Sequence, residues 1–438
     1  MAGKASQALE RVAYINARLI DPASGLDAKG ALLTDGEVIV DFGPHLFADG
    51  VAEGIATVDC QGHCLAPGLV DMRAQLREPG DEHKGTLASE GSSATAGGIT
   101  SLVCLPNTQP VIDDMSVVEF VARRARLLGL AKVYPYGAVT KGLEGRELAE
   151  MGMLAEAGAL AFTDAIKTVA DAQVMRRALS YAATYGLTII EHPEEPSLAD
   201  GGVMNAGETA TRLGLTGIPR QAEVIIVERD IHLAELTGGR IHFAHVSTAQ
   251  ALDAVRRAKA RGLFVTCDTA PPYFALNENE VGDYRTFAKL SPPLRTEDDR
   301  KAVVEALKDG TIDTVASDHA PQDEDAKRLP FAQAAFGGVG LETLLAVTLE
   351  LYHNAHLSLA ETLRLITQAP ADLLGLPAGR LEKGAAADLV VFDPDRGWKV
   401  DGDRLLSKSK NSPFDGRPVQ GRVLRTVIDG RSVFQLED

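Results

Sequence analysis

The sequence has no Lys/Arg-rich run, and its formal net charge is −17 over 438 residues. Nucleic acid and anionic membrane surfaces are held through clustered cations, so this balance argues against both as partners. A small anionic substrate stays open, because one local arginine can hold a carboxylate inside a negative protein. No apolar run reaches transmembrane length. The first residues, Met1-Ala-Gly-Lys-Ala-Ser-Gln7, lack the apolar core of a signal peptide. Only four cysteines occur, Cys60, Cys64, Cys104 and Cys267, and no two form a Cys-x-x-Cys pair. Cys60 and Cys64 with His63 admit a zinc reading, but they flank the end of a strand-like run and read as small buried thiols. A reducing, cytoplasmic setting is the expectation. Low-complexity segments are absent too, and a hydrophobic share of 45% is enough for a large core.

That length suits one large barrel and a smaller satellite domain. Residues 12–66 alternate apolar and polar side chains in short runs, such as Val12-Ala-Tyr-Ile-Asn16 and Glu37-Val-Ile-Val-Asp-Phe42, with Asp35-Gly36 as a hairpin turn. The C-terminal stretch has the same texture in Ala387-Asp-Leu-Val-Val-Phe-Asp393 and in the run from Arg422 to Arg431. The two ends, 1–66 and 371–438, are expected to combine into one small β-sandwich. Between them, over 67–370, eight strand-like runs begin at Gly68, Thr100, Lys132, Ala159, Thr188, Arg240, Phe264 and Thr314. Amphipathic helices are predicted between them, among them Asp114–Leu128, Asp171–Tyr185 and Thr248–Arg261. Eight alternations of β and α define the α/β class and a (β/α)8 TIM barrel.

Barrel chemistry sits at the C-terminal ends of the strands. The residues there are Arg73, Gln75 and Arg77 after the first strand and Asn107 after the second. Asp164 follows the fourth, His192 the fifth, His245 the sixth, and Asp318 with His319 the eighth. One such His or Asp reads as a satisfied loop residue. Four strand ends carrying them together read as a functional rim.

These residues stand in motifs: Leu76-Arg-Glu-Pro-Gly80, Cys104-Leu-Pro-Asn-Thr108, Ala161-Phe-Thr-Asp164, Glu191-His192, Ala244-His-Val-Ser-Thr-Ala249, Ser291-Pro-Pro-Leu-Arg295 and Ser317-Asp-His-Ala-Pro321. Over essentially its full length the chain resembles the dihydroorotases of the cyclic amidohydrolase superfamily, of the type associated with aspartate carbamoyltransferase. The run Gly379-Arg-Leu-Glu-Lys-Gly-Ala-Ala-Ala-Asp-Leu-Val-Val-Phe392 resembles one found across that superfamily. The resemblance implies hydrolysis of a cyclic amide by a zinc-bound water. It assigns Asp318 as acid/base, Arg77 and Asn107 to the substrate carboxylate, and His319 and Ser291 to the pocket wall.

The resemblance also implies two metal positions, and the first depends on a His-x-His pair after Asp71. This chain has Arg73 and Gln75 there. Arginine has no lone pair to donate, so the first position keeps only Asp164 and Asp318. The second keeps Asp164, His192 and His245, a legitimate set for one zinc. The expectation is therefore one zinc ion at most, or none. Zinc loss would leave two carboxylates close together, and Arg73 is expected to bridge Asp164 and Asp318 with its own positive charge. Other departures are Tyr273 where the family often has His, Ser291 where it has Asn, and Gln322 where it has His. The leading expectation is a weakly or non-catalytic homologue in pyrimidine biosynthesis that partners aspartate carbamoyltransferase and forms a homo-oligomer. The alternative is an active one-zinc dihydroorotase acting on its small-molecule substrate. A hydantoin or dihydropyrimidine enzyme is disfavoured, because those relatives carry a carbamylated lysine where Asp164 stands. Residues 321–338, charged and ending in Phe336-Gly-Gly, are a candidate loop over the site.

Overall fold

Alternating runs at the two ends of the chain leave strands that need partners, and in the computed structural model they find each other. The structure describes residues 11–437; the segment Met1–Gln7 lies outside them. One eight-stranded sheet runs Arg431–Gln435, Pro418–Ile428, Leu389–Lys399, Cys64–Pro67, Arg11–Asp21, Leu26–Asp35, Val38–Gly43, with Ala56–Asp59 paired to Arg11–Asp21. Cys64–Pro67 is the seam: it pairs antiparallel with Leu389–Phe392 and parallel with Arg18–Leu19. The edge strand folds back on the segment before Leu389, through Ile39 N donating to Ala385 O at 2.9 Å and Gly384 N to Ile39 O at 2.8 Å. The sheet thus wraps a core of Leu19, Leu32, Ile39, Leu65, Leu389 and Val391. The hairpin turn is at Asp35-Gly36, with Gly36 at φ 61°.

The barrel strands are Leu69–Ala74, Ile99–Cys104, Lys132–Pro135, Thr188–Glu191, Arg240–Phe243, Val265–Thr269 and Thr314–Val315. All pairings among them are parallel. The fourth position, expected as a strand from Ala159, is reduced to single bridges from Phe162 to Gly137 and to Ile189. Thr163 N still donates to Gly137 O at 2.9 Å, and the ladder ends at Asp164, whose carboxylate takes the Val139 and Thr140 amides. A parallel bridge from Ala74 to His319 closes the ring.

Helix limits follow their caps. Met115–Leu128 begins at Asp114, whose carboxylate accepts from Ser116 N, and ends at the left-handed Gly129. Ala172–Tyr185 has Asp171 and Gly186 in the same roles, and Ala249–Ala260 starts at Thr248. The first barrel strand is buried throughout. Val70 and Met72 pack with Val103, Ala161, Ile190, Ala244 and Ala316 from other barrel positions, and the pairing with Ile99–Cys104 shifts register between Asp71 and Ala74. At that irregularity Arg73 enters the barrel mouth, reaching Asp318 and the Ala165 carbonyl. All four cysteines are free and buried, and burial pushes the Cys60, Cys64 and Cys104 thiols up to about 12. Among the described residues no helix is long and apolar enough to cross a membrane.

Candidate active site

Arg73 crosses the mouth. Its side chain is 2% exposed, and its Nε donates to Asp318 Oδ1 at 3.0 Å. One terminal nitrogen, Nη2, donates to the Ala165 carbonyl at 3.0 Å, and the other, Nη1, has no protein partner. The expected bridge is therefore half made. Arg73 holds Asp318, but Asp164 turns elsewhere, accepting from Val139 N at 3.1 Å, Thr140 N at 2.9 Å and the Thr140 hydroxyl. Three local donors satisfy that carboxylate without a cation. Burial raises the Asp164 pKa, and the Thr140 hydroxyl and amide only partly oppose it.

The histidines after the fifth and sixth strands do meet. His192 Nδ1 and His245 Nε2 are 2.7 Å apart, and both side chains are buried. On the far side, His192 Nε2 is 3.7 Å from Glu194 Oε1. On the near side, His245 Nδ1 is 3.2 Å from Asp318 Oδ1, at ion-pair distance but not aligned as a hydrogen bond. A row of polar side chains thus runs Glu194, His192, His245, Asp318, Arg73. Burial first, then the Arg73 charge, lowers the His245 pKa, with Asp318 opposing. Burial would raise Asp318, but the His245 imidazole and the Arg73 guanidinium outweigh it and hold the carboxyl below its ordinary value. Arg77, Ala165, His245 and Asp318 all adopt positive φ. Such strain in non-glycine residues persists only where surrounding contacts enforce it, and it concentrates at functional rims.

Every other retained residue of the rim except Ser291 has an internal partner. Arg77 Nε and Nη2 donate to the Pro321 carbonyl at 3.1 and 2.9 Å. Asn107 Nδ2 donates to Gln75 Oε1 at 3.0 Å. His319 Nε2 is 2.9 Å from Glu90 Oε2, both side chains fully buried, and its Nδ1 accepts from Gly340 N at 3.2 Å. Ser291 makes no side-chain hydrogen bond to any of them. The cavity beside Asp318, walled by Pro271, Pro272, Leu290, Ser317, Gly338 and Phe414, measures about 10 Å³, room for roughly one water. A far larger one, about 610 Å³, lies on the chain-end sheet by Asn16, Lys29 and Phe47, away from this chemistry.

As arranged, these residues do not fit a zinc ion. Among the described residues no three His, Cys, Asp or Glu side chains converge as ligands would. Two imidazoles on one tetrahedral zinc stand about 3.3 Å apart, from bonds of about 2.0–2.1 Å, whereas His192 and His245 meet at hydrogen-bond distance. Their expected third partner, Asp164, is tied to Thr140. Sequence reasoning missed Thr140, Glu90 and Glu194. Glu90 alone gave a signal, as the one acid in a helix of small residues, Leu87–Ala96.

The chain matches two family models, one described as dihydro-orotase-like over residues 62–251 and one as amidohydrolase family over residues 227–434. It is 49% identical to the dihydroorotase of Anaplasma phagocytophilum, covering 97% of this chain and 96% of that one. It is 46% identical to the dihydroorotase of Desulforapulum autotrophicum, covering 97% and 99%. Among solved structures, L-hydantoinase (dihydropyrimidinase) from Arthrobacter aurescens superposes with a TM-score of 0.86 at 25% identity, covering 97% and 96%.

Proposed function

The chain belongs to the dihydroorotase family of amidohydrolases, and from that premise we propose that it serves pyrimidine biosynthesis with a closed barrel mouth. On this reading it hydrolyses the cyclic amide weakly or not at all, in a cytoplasmic setting, as a homo-oligomer and as the structural partner of aspartate carbamoyltransferase. The observation that carries the reading is the buried pair of Arg73 Nε and Asp318 Oδ1 at 3.0 Å. A general base must be free to take a proton and basic enough to hold it. Asp318 is pinned by a permanent cation and made a weaker base by it.

Two further observations support a closed mouth. The cavity at Asp318 admits about one water, which leaves no room for a six-membered ring with a carboxylate. Arg77, Asn107 and His319, which the family resemblance assigns to substrate, are satisfied by Pro321, Gln75 and Glu90. The partner rests on the resemblance alone and is tested separately below.

One observation favours the alternative, an active enzyme with a single zinc. His192 and His245 face each other in a buried pocket, and the lowered His245 pKa keeps that imidazole neutral, as a ligand must be. That arrangement needs Asp164 to leave Thr140 and the two rings to part. Dihydroorotate turnover with added zinc, in the wild type and in Asp318→Asn, separates the readings. No turnover above Asp318→Asn, with co-elution of the chain and aspartate carbamoyltransferase in size-exclusion chromatography, is the expected result. Zinc-dependent turnover abolished by Asp318→Asn would overturn the closed-mouth reading. Separate elution would remove the partner.

A further inference from the structure

Residues 321–338 leave the barrel end at Pro321, beside Arg77, and return at Gly338, which bridges to His319, and their polar contacts are unusual in kind. Two buried lysines, Lys289 and Lys327, are 2% and 3% exposed, yet neither meets a carboxylate among the described residues. Lys327 Nζ points at three backbone carbonyls: Ala335 O at 2.7 Å, Thr286 O at 3.0 Å and Lys289 O at 3.3 Å. Lys289 Nζ donates to Phe331 O at 2.8 Å and Ala332 O at 3.1 Å, and sits 4.6 Å from the centre of the Phe336 ring. An ammonium has three donors and no acceptor, so carbonyls are the partners it can bond, and burial together with the Lys289 charge still pushes the Lys327 pKa down to about 7.

Both cages join the same two pieces of chain, the segment 321–338 and the turn at 286–289. Gly337 N donates to Lys289 O at 3.0 Å, and the Thr286 hydroxyl to Lys327 O at 2.6 Å. Asn411 clasps the two ends of the segment, accepting from Gln322 N at 3.2 Å and donating to Gly337 O at 2.9 Å. Gly337 itself stands at φ 118°, where a Cβ would lie 2.7 Å from Ala320 O, so the return leg is packed hard against the outgoing one. At the entry, the Pro321 carbonyl takes two hydrogen bonds from Arg77.

We propose that residues 321–338 form a built-in strap that holds the mouth shut by placing the Pro321 carbonyl on the Arg77 guanidinium, with Lys289 and Lys327 as its latch. The strap is autoinhibitory in that its own backbone takes two Arg77 donors, Nε and Nη2, that a carboxylate ligand would pair with, while Nη1 lies 3.7 Å from Asp81 Oδ2. This meaning rests on the family reading above, whereas the latch stands on the contacts alone. Carbonyl cages suit the task because they tie each lysine to backbone, so the segment is held along its length and not at one side chain.

Hydrogen exchange on the full chain is the test. In the wild type the amides of Gln322, Lys327 and Gly337 are expected to exchange at least about a hundredfold more slowly than a free loop. Lys327→Met, which keeps the stem and removes the donors, is expected to speed them at least about tenfold while the strand Leu69–Ala74 is unchanged. Lys289→Met should act in the same direction and serves if the first variant does not fold. Orotate, a planar ring bearing a carboxylate, is the probe of the mouth by calorimetry. It is expected to bind Lys327→Met and to be lost when Arg77→Leu is added, with no binding to the wild type. Free-loop exchange in the wild type would sink the strap, and unchanged exchange in both lysine variants would sink the latch. Equal orotate binding by wild type and variant would remove the autoinhibitory role. A wild type that turns over dihydroorotate with its strap still protected would defeat the closed-mouth function and leave the latch intact.

Discussion

Replacing Arg73 by methionine keeps the stem and deletes the charge at the centre of the mouth. The arginine side chain is 2% exposed and its partner Asp318 17%, and the carboxylate would keep only His245 at 3.2 Å. Breaking a buried pair from one side costs about 3–5 kcal/mol, because the other charge is left uncompensated. Asp318 retains His245 and some solvent, which places it near the lower end, about 3 kcal/mol. The Ala165 carbonyl also loses its donor, which adds about 1 kcal/mol. Unfolding entropy of about 2.1 cal/mol/K per residue gives about 0.9 kcal/mol/K for a chain of this size, so the midpoint should fall by about 4 °C. Thermal unfolding of Arg73→Met, Asp318→Asn and the double variant forms the assay. The double variant should be more stable than the sum of the single losses by at least about 2 kcal/mol, since it leaves neither charge stranded. A loss in Arg73→Met within about 0.5 kcal/mol of zero, the range of surface changes, would refute the reasoning. Strict additivity would refute it equally.

Arg73→His with Gln75→His restores the His-x-His pair beside Asp318, and bound zinc measured by mass spectrometry after dialysis should rise to about one ion per chain; no rise would show that more than these two ligands has been lost. Arg77→Leu leaves the Pro321 carbonyl without its donors and should cost about 1–3 kcal/mol in denaturant unfolding. Burial pushes the Asp71 carboxyl up to about 6 against its hydrogen bonds from Ser317. The folded state then holds more protons than the unfolded one between about pH 4 and 6, so this group's contribution falls as pH rises through that window and stays low above it. Asp71→Asn lacks that loss, and its stability relative to wild type should climb by up to about 3 kcal/mol from pH 4 to 6 and then level off; a flat difference would show that Asp71 is not raised.

The barrel was readable because its signals are local. Apolar runs fall at all eight strand positions, and Asp114, Asp171 and Thr248 mark helix starts where the structure has them. The inward course of Arg73 was readable from its place at the end of the first strand, although the register shift between Asp71 and Ala74 that accompanies it was not. What the sequence could not show is which distant group answers each rim residue. Asp164 meets Thr140 because the bridge at Phe162 sets the third and fourth positions side by side. His319 meets Glu90 across 229 residues. Arg77 meets a backbone carbonyl, which no side-chain pattern announces. The bridge from Arg73 to both carboxylates failed at Asp164 for that reason: a like-charge argument needs the carboxylate to lack other donors, and loop geometry supplied three.

Retention of Arg77, Asn107 and His319 looks, in sequence, like evidence for catalysis, since a scaffold has no chemical use for substrate-binding groups. The contacts give these groups a second use, inside the fold. Each is buried or nearly so, and each already carries an internal hydrogen bond. Removing one leaves a partner unpaired, at about 1–3 kcal/mol, so each of these residues serves the fold as it stands. Gln75, which stands where the resemblance places a ligand, accepts from Asn107 and so ties two rim amides together. The sign of a stability change therefore separates the two uses. Groups held ready for substrate are commonly strained or unpaired, and replacing them tends to stabilise the fold. Groups absorbed into a closed rim destabilise it when replaced. A gain in stability for Arg77→Leu would mean that Pro321 is only a placeholder for a ligand, and an enzyme would be the better reading of this barrel.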